Sequence, residues 1–368
     1  MRGCLLSLWV GHMSELRRNS HLWPGVPLAL ASALLFGAVA PLSKLLLDSV
    51  SPFMLAGLMY FGAGLGLAAY RLFRGAFGEA SDEAQLRRAD IPWLAIAIGM
   101  GGVVGPVLLM FGLSHTTASS AALLLNIEGL ATMTIAWVVF RENVDRRLIF
   151  GAFAILAGAV LLSWNREGVS FDSGSLLVIA ACVAWGIDNN FTRMISATDP
   201  VVIAMLKGLI AGGVNVALAL LTGAAFPSAV TVAAAGLVGF LGVGVSLVMF
   251  ILALRHLGSA RTGAYYSLAP FMGAIMAIAL LGEPMTAKLL IAGGLMGIGL
   301  WLHLAERHSH EHEHEPLEHE HSHVHDEHHQ HKHDGPVTEP HSHWHRHGPV
   351  RHVHPHYPDV HHRHGHQG

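Results

Sequence analysis

A few polar side chains sit inside apolar runs, where they are costly unless they do something. Glu128 lies in Asn126-Ile127-Glu128-Gly129, and Asp188, Asn189 and Asn190 are consecutive. Lys207 stands in Met205-Leu206-Lys207-Gly208, and Asn215 follows eight residues later, on nearly the same helix face. Insertion scales put an ionisable residue at the bilayer centre at about 2.5–3.5 kcal/mol, so such residues turn to a cavity or a partner. A carboxylate taken out of water accepts a proton more readily, which would suit Glu128 to a proton-coupled step. The plainer role is a structural pair with a lysine or arginine of the bundle. Asn126 shares its turn and either helps hold a ligand or bonds a neighbouring helix. Of Asp188, Asn189 and Asn190, at least one must line a cavity or cap a broken helix. Asp188 and Arg193 are five apart, an awkward spacing for a direct pair. Lys207 is a candidate partner of Glu128, of Asp188 or of an anionic substrate group. Lys44 lies near a span end, where a lysine snorkels to the interface. Tyr265 offers a hydroxyl or a stacking face, although packing is the commoner role for Tyr265-Tyr266. His115 and His256 lie near loops and read as interfacial.

The elements that must position these groups are membrane spans. The chain has 368 residues, 52% hydrophobic and only 13% charged, against about 25% charged in average soluble domains. From about Pro24 to His303, apolar runs follow one another, each near the roughly 20 residues that cross a bilayer as a helix. We place ten spans at roughly 24–47, 52–73, 91–113, 117–140, 147–164, 173–193, 201–222, 229–254, 260–281 and 286–304. Trp23, Trp93, Trp164 and Trp301 fall at span ends, the headgroup level favoured by indole. With a cytoplasmic N-terminus, the inner segments hold Arg2, Arg17, Arg18, Arg71, Arg74, Arg87, Arg88, Arg141, Arg146, Arg147, Arg193, Arg255 and Arg261. The outer loops hold only Arg166 and Lys288. That bias predicts both termini in the cytoplasm of a cell-membrane protein. Gly62/Gly66, Gly101/Gly105, Gly208/Gly212 and Gly293/Gly297 have the spacing that lets helix backbones approach.

The two halves repeat one another. Leu34-Leu35-Phe36-Gly37 matches Val183-Ala184-Trp185-Gly186, and Lys44 then matches Arg193. Ser51-Pro52 matches Asp199-Pro200, Met110-Phe111 matches Met249-Phe250, and Arg141-Glu142 matches Gly282-Glu283. Five spans per repeat is an odd number, so the second copy inserts upside down. Inverted repeats are a transporter architecture, with the substrate path between them near mid-membrane.

This pattern resembles the EamA-type transporters of the drug/metabolite transporter superfamily. The resemblance is carried by Ala31-Ser32-Ala33-Leu34-Leu35-Phe36-Gly37 and Ala181-Cys182-Val183-Ala184-Trp185-Gly186 opening the repeats. It is carried also by Ala136-Trp137-Val138-Val139-Phe140-Arg141-Glu142 and Ala277-Ile278-Ala279-Leu280-Leu281-Gly282-Glu283 closing their fourth spans. Ala269-Pro270 matches the family's proline, whereas the fourth span has Glu128-Gly129 there, a flexible glycine in place of a proline bend. The resemblance covers about residues 26–304. It implies an all-α integral membrane fold of ten helices in two inverted five-helix repeats, and secondary transport of small metabolites, usually outward.

Past Ala305 the composition changes. Of 28 histidines, 23 fall in this tail, among Glu, Asp and Pro. No apolar period survives, so disorder is expected. His308, His310, His312, His314, His319, His321, His323 and His325 lie mostly two residues apart, and imidazole binds nickel, zinc and cobalt. A metal store or sensor, a charge switch near neutral pH and a tract without a role all remain open. The expected division is a cytoplasmic segment 1–23, repeats at 24–164 and 173–304, and a cytoplasmic tail at 305–368. Cys4 to Gly11 is too short for a signal peptide, and Met13 is an alternative start. Cys4 and Cys182 are far apart and make no disulfide framework.

No nucleophile–base set, phosphate loop or GxxxxGK[ST] motif occurs, which argues against an enzyme or an ATP-driven pump. The expected function is secondary export of a small metabolite, using Glu128, Asn126, Asp188, Asn189, Asn190, Lys207, Asn215 and Tyr265. Two alternatives stand: a divalent-metal exporter fed by the tail, and a membrane-anchored metal buffer or sensor that no longer transports. The implied partners are the bilayer, a small-molecule substrate, divalent metal ions on the tail and a second copy as homodimer, with no nucleic acid and no required cofactor.

Overall fold

Helices that are apolar on every side, rather than along one stripe, bury one face in protein and leave the other to lipid. The computed structural model has this form. It describes residues 24–76, 86–140, 146–164, 172–195 and 198–304, and in the tail 309–313, 317–323, 341–347 and 351–355. The expected segment 1–23 lies outside the described residues.

The first run is α1 (Gly25–Gly37) and α2 (Val39–Leu47), followed by α3 (Pro52–Ala76). A 3-10 turn, Arg88–Asp90, leads into α4 (Ile91–Ala97), a π-helical segment Ile98–Val104 and α5 (Gly105–His115). Then come α6 (Ala118–Leu124), α7 (Ile127–Phe140) and α8 (Arg146–Ser163). The second half runs through α9 (Ser173–Met194), α10 (Pro200–Leu221), α11 (Ala229–Gly239), a second π-helical segment Phe240–Val245, α12 (Ser246–Tyr266), α13 (Ala269–Leu281) and α14 (Ala287–Leu304). Among the described residues, seven helical runs are long and apolar enough to cross a membrane, and three apolar helices are shorter. Exposed side chains along them, such as Leu65, Phe150, Phe153, Leu290 and Ile298, are those a lipid-facing surface needs.

Packing joins the halves. α3 lies on α10 and α11, α8 on α14, and α6 on α13. α9 packs on α5 and α7, as α1 packs on α12 and α13. Ser32 and Ser246 tie α1 to α12 reciprocally, each hydroxyl donating to the other's carbonyl, at 2.7 and 3.1 Å. Three of the four glycine pairs mark close approaches. A Cβ on Gly208 would lie 2.6 Å from the Gly64 nitrogen, and one on Gly62 would overlap Gly236. Gly293 and Gly297 are different: a Cβ there meets only ordinary contacts, with Leu123 and Phe271.

One break falls elsewhere than expected, and one is additional. The interruption near residues 255–259 is missing, and the backbone stays helical to Tyr266. His256-Leu257-Gly258-Ser259 contains no proline, and one glycine costs a helix only about 1 kcal/mol. The break comes instead at Ser267–Leu268, ahead of Pro270, which has no N–H to continue the ladder. In the first half the matching break is Leu125–Asn126. Asn126 Nδ2 donates to the Leu123 carbonyl at 2.8 Å, so a local side-chain bond stands where proline stands in the second half.

In the tail, β1 (Ser309–Glu313) pairs antiparallel with β4 (Arg351–Pro355), and β2 (Leu317–His323) with β3 (His341–His347). This differs from the expected lack of regular structure and follows the two-residue His-x-His period, which matches a strand. A two-stranded ladder by itself is marginal in water.

Asp172 caps α9 (φ −62°, ψ 123°), accepting from the Ser175 N–H at 2.9 Å and the Ser175 hydroxyl at 2.8 Å. Partial burial pushes its carboxyl up, but these hydrogen bonds outweigh that and hold it below the usual carboxylate range. A lowered folded value gives stability that is present above the ordinary carboxylate range and is lost as pH falls through the lowered value. Asp172→Ala should cost about 1 kcal/mol at neutral pH. The difference in melting temperature between parent and variant should shrink as the detergent-solubilised proteins are titrated to acid.

Candidate functional site

Five residues separate α9 from α10, and both helices pack on the π-helical segment Ile98–Val104, which brings Asp188 and Lys207 together. Lys207 Nζ forms an ion pair with Asp188 Oδ2. The side chains are 17% and 6% exposed, so both charges are largely out of water and depend on each other. Thr192 Oγ1 donates to Asp188 Oδ1 at 2.9 Å, one helical turn on.

Facing them is the π-helical segment. Wide i→i+5 turns leave backbone carbonyls free for other donors. Gly101 O accepts from Tyr60 Oη at 2.8 Å and from Trp185 Nε1 at 3.0 Å. Gly102 O accepts from Asn215 Nδ2 at 3.2 Å. Only glycine fits at Gly101, because a Cβ there would overlap the Asp188 carboxylate. At Gly102 it would come within 2.6 Å of the Ala211 Cβ, and at Gly105 within 2.8 Å of Trp185 Nε1. Asn215 is fully buried, and its Oδ1 has no hydrogen-bond partner.

A second polar group joins α7 to α9. Asn189 Nδ2 donates to Glu128 Oε1 at 2.9 Å and to Thr132 Oγ1 at 3.2 Å. Asn190 Nδ2 donates to the Thr132 carbonyl at 3.0 Å and to the Gly186 carbonyl at 2.8 Å. Asn189 lies about 100° round α9 from Asp188, and Glu128 is within electrostatic reach of both Asp188 and Lys207. Beside them α7, α8 and α9 line an open apolar crevice of about 480 Å³, with Ile127 and Ala131 on its inner side and the exposed Trp137, Phe153 and Val183 on its outer side.

The structure thus brings together Glu128, Asp188, Asn189, Asn190, Lys207 and, one layer away through Gly102, Asn215. Lys207 takes Asp188, one of the partners the sequence left open. Asn126 serves the α6–α7 break, its amide on Leu123 with Met296 Sδ at 4.0 Å. Tyr265 packs in a separate small cluster with Ala29 and Ala253, and Tyr266 packs tilted on Phe36 and edge-on against Phe250, with ring centroids at 5.6 and 4.7 Å. Lys44 does not snorkel: its ammonium sits on the Leu113 and Thr116 carbonyls. Tyr60, Thr132, Thr192 and the Gly101 carbonyl were missed. Hydroxyls in apolar runs are common; the π turn singles out Tyr60 and the Gly101 carbonyl, while Thr132 and Thr192 are marked only by their bonds to Asn189, Asn190 and Asp188. His308, His314 and His325 lie outside the described residues. The side chains of His310, His312, His319, His321 and His323 are likewise not described. Among the described residues, no three His, Cys, Asp or Glu are grouped to hold a metal ion.

The other half has no charge at the matching place. Val39, two residues after Gly37 as Asp188 is two after Gly186, lies against Gly242, and a Cβ there would overlap it. The two halves share the glycine contact, and only the second puts an ion pair into it.

Removing one partner of a buried ion pair typically costs about 3–5 kcal/mol, because the other charge is stranded. Asp188→Asn should therefore destabilise the purified protein more than Asp188→Asn combined with Lys207→Met, in reversible unfolding from mixed micelles. A double variant at least as unstable as the single one would show that the two charges do not sustain each other.

Comparison with known proteins agrees with this architecture. The model of the EamA-like transporter family matches residues 23–164 and again 172–305. An uncharacterized transporter of Methanothermobacter thermautotrophicus is 28% identical over 296 residues, covering 76% of this chain and 86% of the relative. The uncharacterized transporter YyaM of Bacillus subtilis is 22% identical over 235 residues, 61% of this chain and 76% of the relative. A probable terminal-alkyne amino-acid exporter of Streptantibioticus cattleyicolor is 26% identical over 257 residues, 68% of this chain and 86% of the relative. A solved crystal structure superposes with a TM-score of 0.57 at 20% identity, over 76% of this chain and 95% of that one, a likeness in fold alone. The chain belongs to the EamA-like transporter family and is a multi-pass membrane protein, not an enzyme.

Proposed function

We propose that this EamA-like transporter exports a small amino-acid-like metabolite from the cell in exchange for protons. The substrate would bind at Asp188 and Lys207, and the proton at Glu128. The observation that carries the reading is the Asp188–Lys207 ion pair, held within the bundle beside the Glu128–Asn189 bond. Two opposite charges side by side complement an ammonium and a carboxylate. A zwitterion could take over the pair without leaving either charge bare. The exporter from Streptantibioticus cattleyicolor supports the substrate class by its name. In this reading the halves are inverted repeats, both termini are cytoplasmic as the arginine bias implies, and the membrane is the plasma membrane. Glu128 is suited to the proton because its Oε1 accepts from the neutral Asn189 amide, a bond that survives protonation of the other oxygen.

The histidine tract is a separable element, which we take to bind divalent cations. Its support is its composition, 23 histidines after Ala305. Equilibrium dialysis should show zinc or nickel bound by the full chain and not by a chain stopped after Leu304. Equal binding would exclude the tail.

For transport, proteoliposomes loaded with a mixture of labelled amino acids should release one or more of them faster when protons are concentrated on the opposite side. Glu128→Gln should lose this dependence on the gradient while keeping slow exchange of substrate for substrate. An unchanged response to the gradient in Glu128→Gln would sink the proton role.

A further inference from the structure

The turn between α5 and α6 is held by two charges that reach it from far along the chain. The end of α5 presents unpaired carbonyls and the start of α6 unpaired N–H groups, as all helix ends do. Lys44, at the end of α2, donates from Nζ to the Leu113 carbonyl and to the Thr116 carbonyl, the latter at 2.9 Å. Glu283, just after α13, accepts from the Ala118 N–H at 2.7 Å on Oε1 and from the Ser119 N–H at 2.9 Å on Oε2. Each charge has the sign that its helix end attracts. Gly282 ends α13 in the left-handed region (φ 66°) and so turns Glu283 toward the bundle.

Helix ends are ordinarily capped by residues beside them, and Thr117 already does this for Ser120 N at 3.3 Å. The two charged caps come instead from 69 to 72 residues before the turn and from 164 to 165 after it. They hold only while α2 and α13 keep their present positions against the turn. Behind them α13 lies close on α1: Gly273 and Gly37 meet backbone to backbone, with a Cβ on Gly273 2.7 Å from the Gly37 carbonyl oxygen. Gly101, against which Asp188 lies, is fourteen residues before His115, about 21 Å at 1.5 Å per residue. The capped turn therefore lies well along the bundle from the ion pair, toward the opposite face.

We propose that the Thr116–Thr117 turn is a latch closing one face of the transport path. Lys44 and Glu283 hold it as positioning residues and do not bind substrate, and both let go when cargo leaves by that face. This rests on the transport reading, but its test uses no substrate, so the two fail separately.

The test is thiol accessibility in liposomes, in full-length protein carrying Cys4→Ser and Cys182→Ser. Ser43→Cys is the reporter, since Ser43 is fully buried and adjoins Lys44. A small maleimide should label it at least about tenfold faster in Lys44→Met and in Glu283→Gln, because each loses charge-assisted bonds. Lys44→Arg keeps the donors and should stay near the parent rate. The double variant should be no faster than the faster single one. A control reporter, Ile195→Cys, sits buried at the far end of α9 and should not speed up. Unchanged labelling at the Ser43→Cys reporter overturns the latch. So does equal acceleration at both reporters, which means general loosening, and so does a double variant equal to the product of the singles, which means two independent caps.

Discussion

Two opposite charges buried inside an apolar bundle constrain everything near them. Asp188 and Lys207 are tolerable only together, and only if the helices that carry them approach a wall without side chains. The π-helical segment of the third span supplies that wall. Its glycines let the carboxylate lie against the backbone, and its freed carbonyls take the Tyr60, Trp185 and Asn215 donors that would otherwise be stranded. The position of α9 against α5, and of α10 against α3, follows from that requirement as much as from apolar packing.

The same economy of polar groups holds at the helix ends. Lys44, Glu283 and Asp172 each satisfy backbone atoms that a bilayer would leave unpaired, and Arg71 pairs with Asp199 at 3.0 Å, the residue that caps α10. Few charges are spent on the lipid-facing surface. The halves are built alike but used differently, since Val39 and Met59 stand where Asp188 and Lys207 stand in the second half.

The spans were legible because an apolar run near bilayer length has few other uses. The repeat was legible because its motifs recur in order. The residues Glu128, Asp188, Asn189, Asn190 and Lys207 stood out because charge and amide groups are rare in such runs. The Lys207–Asp188 choice was not legible: nineteen residues and a turn separate them, and Glu128 was an equally good candidate by composition. Asn126 and Tyr265 looked alike in kind, yet one closes a helix break and the other fills a packing gap. The break near residue 255 was misplaced because a single glycine is a weak stop, and Pro270 a strong one.

The sequence by itself determined the solvent, the approximate number of spans, the duplication and the short set of polar residues within them. These follow from local composition, which fixes what each segment can tolerate around it. Which polar groups meet was decided only by the tertiary structure. So were the π turns that expose carbonyls at Gly101 and Gly102, and the reach of Lys44 and Glu283 to one distant turn. Those depend on how helices far apart in the chain come to lie against each other, and no local pattern encodes a distance across the bundle.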